Sequence, residues 1–116
     1  MTDRIPKPWG HEQILVSNGK FVVKHLYLKR GQRLSVQYHR VKHESMQMVS
    51  GDGILCLMQR DLRLQKRIVM KPGEWIDIPP GQVHQLEAGE QDLLVLEVST
   101  PELEDVVRLK DDYGRV

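Results

Sequence analysis

Residues 31–51 read GQRLSVQYHRVKHESMQMVSG, which is two β-type runs joined by a short polar connection. Alternate side chains of a strand share a face, so Ser35, Gln37 and His39 are predicted to lie on one side of the first run. Glu44 begins the second run, and a hairpin between the runs brings its carboxylate towards Gln37 and His39. Three groups of metal-ligand type are therefore expected where a small protein otherwise needs apolar side chains.

A second informative stretch, residues 72–84, reads PGEWIDIPPGQVH. Turn-forming Pro and Gly residues punctuate it, and His84 follows them on a fresh strand. If that strand lies beside the first two, His84 becomes a fourth ligand. Two imidazoles, a carboxylate and an amide oxygen suit a divalent ion such as Zn, Mn, Fe, Co or Ni, and can leave positions open for water or substrate. We therefore expect one divalent metal ion, with Gln37, His39, Glu44 and His84 as its ligands.

The remaining pattern is that of an all-β protein, because short β-type runs alternate with strong turn signals along the chain. The nine runs are EQILV (12–16), FVVKHLYL (21–28), RLSVQYH (33–39), SMQMV (45–49), ILCLM (54–58), LRLQKRIVM (62–70), EWIDI (74–78), VHQLE (83–87) and LLVLEVS (93–99). The final PELEDVVRLKDD (101–112) is predicted to form a short helix, a turn or an edge segment. With 116 residues, the chain is expected to form one domain, 1–116, built as a β-sandwich, jelly roll or small barrel.

Composition argues against several classes of partner. Seventeen Lys and Arg balance sixteen Asp and Glu, for a net charge of +1, so no overall field favours nucleic acid or an anionic membrane surface. The single cysteine, Cys56, cannot form an internal disulfide, and no stretch approaches the ~18 apolar residues of a membrane span. The N-terminal residues lack the continuous apolar core of a secretion signal. A cytoplasmic location is expected.

The spacing in both stretches resembles the two sequence motifs of the cupin superfamily. The first motif matches at Gly31, Gln37, His39, Glu44 and Gly51, with Gln37 in place of its usual first His, and the second matches at Gly73, Pro79, Gly81 and His84. Ala88 stands where the second motif usually ends in Asn, a departure that concerns a turn more than the metal. The resemblance implies a small barrel of the double-stranded β-helix, or jelly-roll, type with a metal ion inside.

Longer segments are similar to the type II phosphomannose isomerase domain, the cupin at the C-terminal end of bifunctional mannose-1-phosphate guanylyltransferase/mannose-6-phosphate isomerases. The similarity runs from Pro8 to Arg115, and its most telling segments are PWG (8–10), LEVSTPE (96–102) and DDYGR (111–115). The nucleotidyltransferase half is absent, so transfer of GMP is not expected. The resemblance implies a metal-dependent aldose–ketose isomerase acting on mannose 6-phosphate or a similar sugar phosphate.

That chemistry moves a proton between C2 and C1 through an enediol, which requires a base, an electrophile and a phosphate anchor. The sequence leaves two candidates for the base, His43 and Glu97. Lys42 is a further candidate catalytic residue, at a position where type II isomerases typically carry Arg. Lysine keeps the charge of arginine but loses its planar, two-pronged donor geometry. The candidate phosphate anchors are Lys24, Lys42, Arg108 and Arg115.

Other functions stay open because Ser45 and Met46 stand where type II isomerases typically carry His and Trp. One alternative is a non-catalytic metal-binding cupin that binds or senses a carbohydrate, and a metal-dependent oxygenase is another. Trp9 is expected to cap a barrel end or to stack on a sugar ring, and Met46 and Met48 to fill the core or line the pocket. The family further implies a homodimer, formed through an exposed edge strand.

Overall fold

The computed structural model describes residues 4–116 of the chain. In chain order its strands are β1 (Arg4–Lys7), β2 (Gly10–Ser17), β3 (Val22–Leu28), β4 (Val36–Tyr38), β5 (Glu44–Ser50), β6 (Gly53–Met58), β7 (Leu64–Met70), β8 (Trp75–Ile78), β9 (Val83–Ala88), β10 (Leu93–Ser99) and β11 (Val107–Lys110). A six-stranded sheet has the order β1-β2-β3-β10-β5-β8, and a five-stranded sheet has the order β11-β4-β9-β6-β7. The pairings are antiparallel, and the predicted all-β jelly-roll class is confirmed.

The core lies between the two sheets because each contributes its inward alternate positions. Leu28 and Met48 come from the six-stranded sheet and Leu55 and Leu86 from the five-stranded one, and each is at most 1% exposed. Burying a side chain of this size stabilises the fold by roughly 1.5–3 kcal/mol. The apolar runs of the sequence thus supply the packing that holds the sheets together.

Inward positions change from apolar to polar along the strands, which places a polar cavity at one end of the barrel. Along β5 they run Met48, Met46, Glu44, along β9 Ala88, Leu86, His84, and along β10 Leu93, Val95, Glu97. Strand pairing aligns these changes, since Glu97 lies opposite Met46 in β5 and opposite Lys24 in β3. The cavity is therefore built from strand ends rather than from long loops.

The C-terminal segment forms an edge strand, and within residues 4–116 it contains no helix. Of the predicted forms of residues 101–112, the short helix is therefore wrong and the edge segment is confirmed: β11 pairs with β4, with Arg108 opposite Gln37 and Val107 opposite Tyr38. Val107 and Leu109 pack against a small apolar cluster that includes Val36 and Tyr38. Without this segment, β4 would be an unpaired edge strand. Pairing with that edge, together with the apolar contact, favours the strand over an isolated short helix.

Other element boundaries also differ from the sequence-based expectation. β1 lies outside the nine predicted runs, and the predicted 33–39 strand is regular only from Val36 to Tyr38, with Arg33 forming an isolated bridge to Glu87. No helix among the described residues is long and apolar enough to cross a membrane.

Two glycines allow close backbone approaches that fix the strand connections. Gly10, with φ of 152°, lies so near the Tyr27 carbonyl that a Cβ atom would collide with its oxygen. Gly51, with φ of 81°, approaches the Asp92 carbonyl in the same way. A side chain at either position would push strands apart, which explains the glycine in the Pro8-Trp9-Gly10 segment and at the end of the first motif.

Candidate metal centre

Both sheets contribute to a cluster of buried polar groups at the cavity end of the barrel. Glu44 opens β5 in the six-stranded sheet, whereas Gln37 in β4 and His84 in β9 are direct partners in the five-stranded sheet. His39 follows the last residue of β4. The four predicted ligands therefore line one cavity, although they come from three strands of two sheets.

Three of these side chains meet closely. The Glu44 carboxylate lies 3.1 Å from His84 Nε2 through one oxygen and 3.5 Å from His39 Nε2 through the other. One ligand atom from each residue lies within 4.8 Å of the others. All three side chains are at most 4% exposed, so solvent does not separate them.

Hydrogen bonds on the far side of each ring aim the imidazoles into the cluster. His39 Nδ1 bonds the Asp105 carbonyl oxygen, and His84 Nδ1 bonds the Gln82 carbonyl oxygen at 2.9 Å. A carbonyl oxygen only accepts, so both Nδ1 atoms donate, and a neutral ring then presents a lone pair at Nε2.

Two Nε2 lone pairs and an ionised carboxylate are all acceptors, so they repel one another unless a cation or protons lie between them. His39 Nε2 is buried and has no hydrogen-bond partner, which is costly without such a neighbour. The donor set of two imidazoles and a carboxylate fits a divalent ion of the zinc, iron or manganese type.

Gln37 lies beside the cluster with a different immediate partner. Its Oε1 accepts a hydrogen bond of 2.7 Å from the Ser35 hydroxyl, which confirms that these two side chains share a face. Gln37 also lines the cavity. Its role as a fourth ligand stays a prediction.

A buried charge chain extends from the cluster. Lys42 Nζ lies 3.4 Å from Glu44 Oε2 and 3.2 Å from Glu97 Oε1, and all three side chains are at most 7% exposed. Burial and the nearby Glu44 carboxylate raise the pKa of Glu97 to about 7, despite Lys42. Although burial opposes it, the His39 and His84 rings against the carboxylate hold the pKa of Glu44 well below its usual range. Two neighbouring carboxyl groups thus differ in proton affinity, as acid–base sites require.

Neighbouring strands of the six-stranded sheet carry a second set of charges in the cavity, with Lys24 in β3 paired directly with Glu97 in β10. Glu12 lies 3.6 Å from Lys24 Nζ and 3.9 Å from Lys7 Nζ. Trp9 also lines the cavity, although it is only 3% exposed. The cavity volume is about 110 Å³, room for several water molecules or an equivalent ligand beside an ion.

The two predicted C-terminal arginines line the cavity in different states. Arg108 lies opposite Gln37 in the β4–β11 pair, and its buried Nε has no hydrogen-bond partner. Arg115 is held by Asp111 through three hydrogen bonds of 2.8–2.9 Å, which also lower the pKa of Asp111 to about 2. Arg108 is therefore the freer of the two to bind an anion.

His43, one of the two candidate bases, lies away from the cluster. Its Nε2 contacts the Asp77 carboxylate at 2.8 Å on the outer surface, where the His43 side chain is 46% exposed. Ser45 donates a 2.7 Å hydrogen bond to the same carboxylate. His43 does not line the cavity, whereas Glu97 and Met46 do, so the structure brings only one of the two candidate bases to the site.

Sequence reasoning missed Glu12 and Asp105. The alternation of EQILV carried a signal for Glu12, because that residue shares a face with Ile14. Asp105 acts through backbone groups of a distant loop, and no residue pattern indicates such contacts. The Asp105 carboxylate accepts hydrogen bonds from three backbone amides, and these lower its pKa to about 2.

A barrel of two antiparallel sheets whose cavity holds two histidines and a glutamate is characteristic of the cupins, and this protein has that arrangement. The particular family follows from comparison: the model described as "Mannose-6-phosphate isomerase C-terminal" matches residues 1–111, and the chain belongs to this family.

Comparison with curated and solved proteins gives similar chains of greater length. A mannose-1-phosphate guanylyltransferase of Escherichia coli K12 is 35% identical over 95% of this chain and 23% of its own length. The alginate biosynthesis protein AlgA of Pseudomonas aeruginosa is 32% identical over 94% of this chain and 22% of its own. The chain thus spans under a quarter of these relatives. Capsular polysaccharide assembling protein CapF of Staphylococcus aureus superposes with a TM-score of 0.82 at 19% identity, covering 95% of this chain and 34% of CapF, which is a likeness of fold.

Proposed function

We propose that this domain is a metal-dependent aldose–ketose isomerase for a sugar phosphate of the mannose 6-phosphate type. The observation that carries the proposal is the buried Lys42–Glu97 pair directly beside the His39, Glu44 and His84 cluster. It supplies a carboxyl group and a cation next to a metal-type donor set, and the family membership supports the same reaction class.

Glu97 is the proposed base. It is 5% exposed, lines the cavity, and its pKa of about 7 suits transfer of a proton in either direction near neutral pH. In the proposed reaction the carboxylate removes the proton from C2 of the open-chain aldose and returns it to C1 of the enediol, while the hydroxyl proton of O2 passes to O1, so that the C1 aldehyde becomes an alcohol and C2 a ketone. A divalent ion held by His39, Glu44 and His84 supplies Lewis-acid stabilisation of the developing oxyanion when bound.

Lys42 is proposed to hold Glu97 and to donate to the substrate oxygen on which negative charge develops. Its Nζ is a compact charge within 3.4 Å of the Glu44 and Glu97 carboxylates, so it stabilises the ionised form of Glu97 before the proton transfer. Because a lysine has three donors, one remains for the substrate.

Charge in the cavity supports an anionic substrate. Three acidic side chains line it, Glu12, Glu44 and Glu97, against five cationic ones, Lys7, Lys24, Lys42, Arg108 and Arg115. Arg108 is the proposed main phosphate anchor, because its planar guanidinium suits a phosphate dianion and its Nε lacks a partner. Lys24 is the proposed second anchor, across the cavity on β3, and Trp9 is the proposed surface for the sugar ring.

The test is a coupled assay for fructose 6-phosphate with metal-loaded protein and mannose 6-phosphate. Glu97→Gln is expected to reduce kcat by at least ~100-fold while mannose 6-phosphate still binds. Glu90→Gln, at an exposed carboxylate away from the cavity, is the matched control and should behave as wild type. Full activity of Glu97→Gln would remove this residue from the role of base.

A second candidate function is a non-catalytic metal-binding cupin that binds or senses a carbohydrate. Lys42 favours it, because this residue stands where type II isomerases typically carry Arg and both of its near neighbours are carboxylates. Binding of mannose 6-phosphate by the metal-loaded protein without any fructose 6-phosphate would support this alternative. Oxygen uptake by an Fe(II)-loaded sample would instead support an oxygenase, and elemental analysis of protein purified without added metal identifies the ion.

We also propose that two copies pair through the outer face of the six-stranded sheet rather than through an edge. Its central strands present half-buried, uncharged rows, Val23, His25 and Tyr27 on β3 and Leu94, Leu96 and Val98 on β10. Six strands ~4.8 Å apart and ~20 Å long give a face of roughly 600 Å². That approaches the ~800 Å² per partner of a stable interface, and the uncharged rows at its centre complement a second copy of themselves.

Light scattering tests the pairing. Leu96→Asp is expected to give monomers, whereas Val69→Asp on the exposed edge strand β7 should leave the dimer intact. A monomeric wild type would exclude pairing, and loss of the dimer only in the β7 variant would favour the edge.

A cytoplasmic location likewise stays a prediction.

A further inference from the structure

The connection between His39 and Glu44 is held by a distant part of the chain. His39 directly follows β4 of the five-stranded sheet and Glu44 opens β5 of the six-stranded sheet, so residues 40–43 span the gap between the sheets. The segment 100–106, which follows β10 and precedes β11, spans the same gap. We call residues 40–43 the crossing. The geometry of the metal centre therefore depends on how this crossing is fixed to segment 100–106.

Asp105 fixes the first half of the crossing through its side chain. Its carboxylate accepts hydrogen bonds from the backbone amides of Arg40 at 3.0 Å, Val41 at 2.7 Å and Lys42 at 2.8 Å. Three successive amides around one anion form a strong, charge-assisted contact. The loop that sets the separation of His39 and Glu44 is thereby given one conformation.

The main chain of Asp105 acts on the metal centre as well. Its carbonyl oxygen accepts the hydrogen bond from His39 Nδ1, which turns His39 Nε2 towards Glu44. One residue thus restrains the loop through its carboxylate and the imidazole through its carbonyl group.

Thr100 fixes the second half of the crossing. Its hydroxyl oxygen accepts a 3.0 Å hydrogen bond from the His43 amide, and its own amide donates one of 3.0 Å to the His43 carbonyl oxygen. Together with Asp105, it gives every residue from 40 to 43 a backbone contact to segment 100–105. Leu103 and Val106 of the same region line the cavity, so the segment also closes the site.

We propose that Asp105 is a positioning residue of the metal centre, acting through loop 40–42 and the His39 ring to set the distance between His39 and Glu44. The inference rests on the proposed metal-binding function. Groups that orient metal ligands typically contribute 10–100-fold to metal affinity, although they do not touch the ion. Asp105→Asn keeps the shape and the main-chain carbonyl but removes the charge and one acceptor oxygen, so it isolates the side-chain contribution.

The experiment measures Zn²⁺ and Mn²⁺ affinity of the full chain by competition with a chromophoric chelator, together with the Tm of the metal-free protein. Asp105→Asn is expected to bind 10–100-fold more weakly than wild type. Asp92→Asn is the matched control, because Asp92 also joins distant segments, accepting the Arg30 amide at 2.8 Å and the Tyr27 hydroxyl at 2.6 Å, but does not line the cavity. Asp92→Asn should lower Tm by about as much as Asp105→Asn does. It should leave metal affinity within about two-fold of wild type.

Amide hydrogen exchange gives a second readout, since the amides of residues 40–42 should exchange faster in Asp105→Asn and unchanged in Asp92→Asn. Wild-type affinity in a folded Asp105→Asn, or equal weakening in both variants, would overturn the positioning role. If Asp105→Asn does not fold, Asp105→Glu replaces it, because it keeps the charge but moves the carboxylate away from the three amides, with an expected weakening of at least three-fold and the same refuting result. Absence of metal binding by the wild type would instead refute the proposed function, and the positioning role with it.

Discussion

Replacement of Lys42 by Met is expected to be among the most destabilising changes in the cavity of the metal-free protein. The ammonium group lies within 3.4 Å of Glu44 and 3.2 Å of Glu97, and the three side chains are at most 7% exposed. Methionine has a similar length but no charge, so the variant leaves two buried carboxylates without the ammonium group between them. Removing one partner of a buried ion pair typically costs about 3–5 kcal/mol.

That loss is large against the 5–15 kcal/mol stability typical of a natural domain, but it need not abolish folding. In a domain of this size each 1 kcal/mol shifts Tm by roughly 3–6 °C, so a decrease of about 9–30 °C is expected. Urea denaturation at pH 7 with a chelator present measures the change without any bound ion. Saturating metal should reduce the loss, since a divalent ion binds the folded state and supplies the missing positive charge.

A double-mutant cycle separates charge from packing. Glu97→Gln alone should have a small effect because Lys42 keeps its contact with Glu44. Lys42→Met combined with Glu97→Gln should recover at least ~2 kcal/mol of the loss, since one uncompensated carboxylate is gone. Strict additivity of the two single changes would refute the argument that the destabilisation comes from unpaired buried charge.

Three further outcomes are expected. His84→Ala should lose bound metal, measured by elemental analysis, while keeping most of its circular dichroism signal because apolar packing between the sheets supplies most of the stability; wild-type metal content would contradict the ligand assignment. Lys42→Arg is expected to raise any isomerase activity in the coupled assay, and an unchanged or lower rate would argue against a substrate-binding role at this position. At acidic pH the protein should lose stability, because three backbone amides lower the pKa of Asp105, and Arg115 that of Asp111, to about 2. A lowered carboxyl pKa stabilises the fold above the unfolded value near 4 and loses that effect as pH falls towards 2. Urea midpoints at pH 5, 4 and 3 measure this slope, which Asp105→Asn and Asp111→Asn should each flatten.

Much of the site was accessible from the sequence because strand geometry is local. The period of two placed Gln37 and His39 on one face, and the turn residues before His84 put it on a new strand. The structure brings His39, Glu44 and His84 together as that reasoning required. Glu97 could be named as a candidate only through family resemblance, since an isolated Glu in VLEV has no local mark of burial.

His43 illustrates what local pattern cannot decide. It lies in a connection, where the alternation of a strand no longer sets the direction of a side chain. Its direction follows from Asp77 on β8, which is 34 residues away in sequence and offers a carboxylate at 2.8 Å on the outer surface. The C-terminal segment is similar, because its apolar spacing allowed a helix or an edge strand until pairing with β4 decided it.

By itself, the sequence determined the strand periodicity, the turns and the residue types of the cluster, since each depends on neighbours a few positions away. Tertiary structure alone decided which charges are paired, which cations stay free and which distant backbone holds the metal loop. Arg108, Arg115 and Asp105 show this, because their partners or lack of partners follow from the crossing of two sheets. Electrostatic and hydrogen-bond energies depend on distance in space and on burial, and neither quantity can be read from local sequence spacing.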